Sequence, residues 1–305
     1  MPFLSKADID NQQRAYEIWM PDSPQNKLLL FEQRKIRIKD MSHRSTEFNL
    51  ETGGFKFIRH ETTKLAKTAS QVQVGGREAL SPYLDETIEL VKQHTQAEKV
   101  ICFDWRFFVQ LRKNDTATER RAGNAVNGNP GGESFEFIPP AKVVHQDESL
   151  KGGLFVAKRY LTKDEFASLS DMRVRIINVW RPIVGTIEDA PLALCDRRSV
   201  SPSDIESCDK SLTGCVGEGN YLHWNPKQQW YWWPKQTRDL PVLFVTWDSL
   251  KDDELACPPH GSFYDYKADP EAPPRESIEV RTLVITNLTE SRGNDQWLHP
   301  GIEDL

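Results

Sequence analysis

The chain has 305 residues, 38 % of them hydrophobic, and a formal net charge of −6. That is enough apolar material for one sizeable core, and the acidic balance argues against nucleic acid or an anionic membrane as a general partner. No apolar run approaches the roughly 18–20 residues of a spanning helix, and Met1 to Asp10 carries no apolar signal region, so the expected location is cytoplasmic.

The five cysteines (Cys102, Cys195, Cys208, Cys215 and Cys257) form no Cys-x-x-Cys pair, and an odd count without a leader reads as reduced thiols.

Residues 1–60 read as extended segments separated by turns. Arg34 to Lys39 alternates charge with isoleucine, as an edge strand does, and Gly53-Gly54-Phe55 is a turn. Ser81 followed by Pro82 predicts a helix start, with Leu84, Ile88 and Val91 at helical spacing and an end near Gln96. Val100 to Phe103 is a buried strand. Residues 112–134 are polar and rich in Gly and Asn, a loop placed where it either covers a site as a lid or stands as a surface insertion.

Strand patterns dominate after residue 140. Lys142 to His145 is one. Thr162-Lys163-Asp164-Glu165 is a capping box that opens a short helix over 163–170. Val174 to Val179, Gln229 to Trp233, Val242 to Trp247 and Ile278 to Thr286 follow as strands. The sequence predicts an antiparallel barrel or jelly roll preceded by helical and extended decoration. The expectation is one domain over 1–305, with decoration over 1–110 and the core over 135–290.

Among the seven histidines, His145 alone has an acid two positions on, Asp147. Residues i and i+2 of a strand share a face, so the two can share a metal. His260, fixed between Pro258-Pro259 and Gly261, would arrive from a distant strand. His145, Asp147 and His260 together match a 2-His-1-carboxylate iron site, which leaves positions open for O2 and substrate. The bland alternatives are a capped turn and a surface turn.

Arg275 precedes an alternating strand, and its guanidinium can grip a carboxylate through two parallel hydrogen bonds with Ser277 donating a third. By period-2 counting Arg281 shares that face; it either takes the same role or pairs with Glu279 or another acid. Arg181, at the end of the apolar run Ile177-Asn178-Val179-Trp180-Arg181-Pro182, needs an anion if buried. It contacts substrate or co-substrate, with Trp180 and Asn178 beside it, or pairs with Glu188 or Asp189. Trp224, Trp230, Trp232 and Trp233, with Tyr221 and Tyr231, fill a barrel or line an aromatic pocket. Gly152-Gly153 and Gly217-Glu218-Gly219 sit in no nucleotide-binding unit, and there is no Gly-x-Ser-x-Gly elbow.

Five stretches together resemble a fungal hydroxylase/desaturase family. They are Lys142 to Asp147, Ile177 to Ile183, Asp189 to Asp196, Cys257 to Phe263 and Pro274 to Arg281. Gibberellin desaturase, AsaB-like tailoring enzymes and an oxygenase that makes an aziridine amino acid from valine belong to it. The resemblance implies a mainly β fold with flanking helices and a double-stranded β-helix core, jelly-roll and cupin-like. It implies Fe(II), with 2-oxoglutarate and O2 as co-substrates, held by His145, Asp147 and His260 and by Arg275 with Ser277. The implied reaction is oxidation of an unactivated C–H bond of a small molecule in secondary metabolism, by hydroxylation, desaturation or ring closure. The rival readings are a non-catalytic cupin-like barrel and a metal-dependent hydrolase.

Overall fold

The computed structural model describes residues 1–6, 15–19, 25–27, 29–110, 137–212, 215–251 and 254–288. The Gly/Asn-rich segment 112–134 and the tail after 290 lie outside the described residues.

Two sheets face each other. The six-stranded sheet runs β6 (Phe55–Phe57), β15 (Val242–Asp248), β10 (Met172–Pro182), β17 (Glu276–Asn287), β7 (Lys99–Val109), β8 (Phe137–Ile138). The nine-stranded sheet runs β3 (Gln25–Lys27), β2 (Ala15–Trp19), β12 (Ile205–Leu212), β13 (Cys215–Leu222), β9 (His145–Gln146), β16 (His260–Ser262), β11 (Leu192–Cys195), β14 (Trp230–Trp232), β5 (Ile38–Asp40). A separate ribbon pairs β1 (Pro2–Leu4) with β4 (Phe31–Gln33). Strand pairing is antiparallel through the core, and the jelly-roll reading holds. The alternating segment at 34–39 ends in β5, the edge of the larger sheet.

The central strands β10 and β17 pair over eleven residues, Met172↔Asn287 to Pro182↔Ser277. Directly paired residues of antiparallel strands project to one face. Asn178, Trp180, Arg281, Glu279 and Ser277 therefore share the inner face, and Val179, Arg181, Val280 and Ile278 the outer one. The outer face is covered by helix α1 (Ala69–Thr95), whose Tyr83, Leu84, Leu90 and Val91 pack on Ile177, Val179, Ile278 and Val280.

Helix α1 begins at Ala69, well before the predicted start at Ser81. Thr68 caps it, its Oγ1 accepting from Gln71 N at 3.2 Å, and Gly76 (φ 60°) takes the kink between its two halves. Burial of Ala69, Val72 and Leu80 holds the first half in place, and tertiary packing overrides the Ser-Pro start signal. The C-terminus is as predicted, with Gln96 in the left-handed region (φ 54°).

Helix α2 (Leu150–Tyr160) and helix α3 (Lys163–Ala167) close one end of the barrel. Their Leu154, Ala157 and Phe166 pack on Val174, Ile176, Trp247, Leu283 and Ile285. The capping box on Thr162 and Glu165 is present. A Cβ at Gly153 would lie 2.1 Å from the Trp247 ring, so the glycine is what lets α2 sit this close to β15. The inner face is thus apolar at the α2 end and polar from Asn178 onward.

Candidate metal centre

His145 and His260 stand directly opposite each other on β9 and β16, and Asp147 follows in the bend after β9. The three ligand-type atoms lie within 4.8 Å of one another. Asp147 Oδ1 is 3.8 Å from His145 Nε2, and Oδ2 is 3.7 Å from His260 Nε2. Each imidazole is oriented from behind: His145 Nδ1 meets Val143 O at 2.7 Å and His260 Nδ1 meets Pro258 O at 3.2 Å. A carbonyl at Nδ1 requires that nitrogen to carry the proton, so Nε2 presents a lone pair to the centre. Gln146 points the other way, donating to Cys257 O and accepting from Asn220 Nδ2, both at 2.8 Å, which locks the β9 backbone.

Electrostatics favour the ligand forms. Burial, with His260 nearby, pushes His145 down to about 3, so it is neutral. Burial alone would raise the Asp147 carboxyl. The Arg281 guanidinium, helped by His260 and His145, overcomes this and holds it well below the usual carboxylate range. Arg281 Nη2 donates to Asp147 Oδ1 at 2.7 Å, and Asn178 Nδ2 donates to Oδ2 at 2.7 Å. Arg281 Nε donates in turn to Glu279 Oε1 at 3.1 Å. Arg281 thus pairs with Asp147 and Glu279. Of the two roles the sequence left open for Arg281, co-substrate contact or pairing with an acid, the geometry shows the pairing, with two buried carboxylates.

Arg275 differs. Its Nε donates to Ser277 Oγ at 3.0 Å, and its Nη1 to Ala190 O at 2.6 Å and Ser262 Oγ at 3.3 Å. Its guanidinium lies 4.8 Å from the centroid of the Trp180 ring. No carboxylate pairs with it among the described residues; Asp189 accepts from its backbone N–H instead. Burial pushes this guanidinium down to about 9, against the attraction of Asp189 and Glu279. Among the described residues two buried atoms on the inner face of the paired strand β10 have no hydrogen-bond partner, Asn178 Oδ1 and Trp180 Nε1.

Arg181 does not reach the centre. It lies on the outer face of β10 beneath α1 and is 1 % exposed. Its donors go to Tyr83 Oη (3.1 Å), His60 O (2.9 Å), Arg238 O (2.7 Å) and His60 Nδ1 (2.8 Å). Neither the substrate contact nor the salt bridge to Glu188 or Asp189 forms. Neutral oxygen and nitrogen acceptors satisfy the guanidinium without an anion. The tryptophans are packing groups: Trp230 is edge-on to Phe3 at 5.8 Å, Trp232 to Phe263 at 5.2 Å, and Trp233 lies 5.3 Å from Phe57.

Four groups at the centre lay outside the sequence reading. Phe244, paired with Asn178, places its ring 4.8 Å from His260. Glu148 follows Asp147 directly; burial, reinforced by Asp147, pushes its carboxyl up to about 7. Asp104 and Arg106 of β7 form an ion pair at 3.1 Å beside Arg281 and Glu279. Strand alternation over 277–281 places Glu279 here, but no local pattern announces Glu148 or Phe244.

A jelly roll carrying His-x-Asp and a second His on facing strands defines a barrel of the 2-His-1-carboxylate type. The chain belongs to the family described as Oxidoreductase/YMDC permease-like domain, whose model matches residues 1–285. It is 29 % identical to the Hydroxylase/desaturase CTB9 of Cercospora beticola over 266 residues, 84 % of this chain and 77 % of that protein. It is 27 % identical to the Alpha-ketoglutarate-dependent dioxygenase phiK of a fungal species (strain ATCC 74256) over 254 residues, 83 % and 84 % of the two chains. The fold is similar to solved structures of the iron and alpha-ketoglutarate-dependent endoperoxidase NvfI, one at TM-score 0.78 with 23 % identity, covering 94 % of this chain and 96 % of that one. The resemblance to fungal hydroxylase/desaturase proteins and the jelly-roll class are both borne out by these matches. No helix among the described residues is long and apolar enough to cross a membrane.

Proposed function

We propose that this protein is an Fe(II)/2-oxoglutarate-dependent oxygenase of fungal secondary metabolism that oxidises a C–H bond of a small molecule in the cytoplasm. The observation that carries the reading is the pairing of two features on one inner wall. Three ligand atoms converge within 4.8 Å, and a buried arginine with no acid partner among the described residues stands on the same wall. The donor set fits the metal: two imidazole nitrogens and one ionised carboxylate suit a divalent transition ion and leave half its positions open.

His145, Asp147 and His260 would hold the iron, which when bound supplies the redox centre for O2-driven decarboxylation of 2-oxoglutarate coupled to C–H oxidation. Arg275 and Ser277 bind the far carboxylate of the keto acid, with the Trp180 ring as a platform beneath the guanidinium and its indole N–H as a further donor. Burial strengthens this charge-assisted contact, and the acid partner that the fold withholds from Arg275 is supplied by the co-substrate. Asn178 and Arg281 orient Asp147. The apolar floor made by Ile176, Leu283 and α2 closes the barrel end against water.

A metal hydrolase or a non-catalytic barrel would share the triad but has no need of Arg275. The separating experiment is anaerobic loading with Fe(II), then O2 with and without 2-oxoglutarate, measuring succinate. Iron-dependent succinate formation that Arg275→Gln strongly reduces supports the oxygenase. Iron binding with no succinate from wild type under any condition sinks it.

A further inference from the structure

We propose that Lys210 is the anchor for the primary substrate and that the substrate bears an anionic group, a carboxylate in the simplest case. The inference rests on the oxygenase reading, and it names a substrate class for the same site.

Lys210 belongs to β12, on the wall opposite Arg275. Register places Gly217, Gly219, Tyr221 and His145 on one face, and Lys210 pairs directly with Gly217, so its side chain shares that inward face. Its ammonium reaches Asp147 O at 3.4 Å, a long contact with the backbone of the ligand turn. Among the described residues no carboxylate lies within ion-pair distance of it. The other cations of the inner wall are committed: Arg281 to Asp147 and Glu279, and Arg106 to Asp104.

The neighbouring strand leaves room for this lysine. A Cβ at Gly219 would lie 2.6 Å from the backbone Asp147 O and 2.3 Å from Lys210 Nζ, so the glycine is required by the ligand turn, and a larger residue there would also displace the ammonium. Among the described residues a Cβ at Gly217 would meet nothing within 4 Å, which leaves space beside the lysine. The glycines that read as a meaningless Gly-x-Gly in the sequence clear a track along which a cation runs to the ligand turn and a space next to it. Two cations with no ion-paired acid among the described residues therefore flank the triad from opposite sheets, Lys210 standing 5.8 Å from the Tyr221 ring centroid and acting at longer range on the buried Glu148 carboxyl. Arg275 is assigned to one dianionic keto acid, and its Nε and Nη1 already donate to Ser277, Ala190 and Ser262. Lys210 offers a second charge of the same sign on the far side of the metal ligands. An anion placed there gains a charge-assisted hydrogen bond beside a half-buried ammonium.

The test uses full-length protein loaded with Zn(II), so that no turnover occurs, and saturated with N-oxalylglycine to fill the Arg275 side. Aryl- and alkyl-carboxylates are titrated calorimetrically, each against its own primary amide. Wild type should bind acids at least about tenfold more tightly than the matched amides, the scale of one charge-assisted hydrogen bond. Lys210→Met and Lys210→Gln should remove that preference while leaving amide and N-oxalylglycine binding unchanged. The proposal is overturned if no acid outbinds its amide. It is equally overturned if the preference survives both substitutions, or if acids, amides and N-oxalylglycine weaken together, the mark of a purely structural lysine. Failure of wild type to bind N-oxalylglycine strikes the co-substrate reading itself and takes this inference with it; normal N-oxalylglycine binding without acid preference removes Lys210 alone.

Discussion

Arg281 donates from Nη2 to Asp147 Oδ1 at 2.7 Å while its Nε holds Glu279 Oε1 at 3.1 Å, so one buried guanidinium pairs with a metal ligand and with a second carboxyl group at once. Burial pushes the Glu279 carboxyl up, as does Asp147, and burial would do the same to Asp147 without Arg281. The cation keeps the ligand ionised before any metal arrives.

Arg281→Met should therefore raise the pH at which Asp147 becomes a ligand. The folded carboxyl is depressed below its unfolded value of about 3.9, so its stabilisation is present above that value and lost as pH falls towards the folded one. Without Arg281 burial dominates and the folded carboxyl rises. Zn(II) binding followed calorimetrically against pH should fail at higher pH in the variant than in wild type. The uncompensated carboxylates should also destabilise the apo protein by about 3–5 kcal/mol. An unchanged binding profile would dismiss this role.

His145→Ala and His260→Ala should remove metal-dependent stabilisation while preserving the fold, since neither side chain holds the sheets together. A ligand at a hundred times its dissociation constant stabilises by about 2.7 kcal/mol. Thermal unfolding with and without Zn(II) should show a rise for wild type and none for either variant. A variant that still gains stability from Zn(II) would show that its imidazole is dispensable.

Arg275→Gln should weaken 2-oxoglutarate or N-oxalylglycine binding to the Zn(II)-loaded protein by about 1.5–3 kcal/mol, roughly ten- to a hundredfold. Metal affinity should hold, because Arg275 touches none of the three ligands. Full co-substrate affinity in this variant would remove the assignment.

Arg181→Met should act on stability alone. It orphans the carbonyls of His60 and Arg238, each worth about 1–3 kcal/mol when buried without a partner. The melting temperature should fall while the affinity of the surviving fold for 2-oxoglutarate is unchanged. Weakened co-substrate binding without loss of stability would contradict the outer-face placement.

Local chemistry determined a good deal by itself. His145-x-Asp147 and the proline-fixed His260 were legible because metal ligation demands a few residue types at short, fixed spacing. Arg275, Ser277, Glu279 and Arg281 were placed on one face because that strand alternates. The C-terminal end of α1 and the capping box at Thr162 were legible because caps are contacts within one turn. Tertiary structure alone decided the rest. The run from Ile177 to Ile183 is buried on both sides, since its inner face lines the barrel and its outer face meets α1. It therefore shows no alternation that could assign Arg181 to one wall and Asn178 and Trp180 to the other. Thr68 rather than Ser81 starts α1 because Ala69, Val72 and Leu80 are buried against distant strands. Lys210 had no signature at all: its significance lies in two glycines on a neighbouring strand and a backbone carbonyl 63 residues away, which only folding brings together.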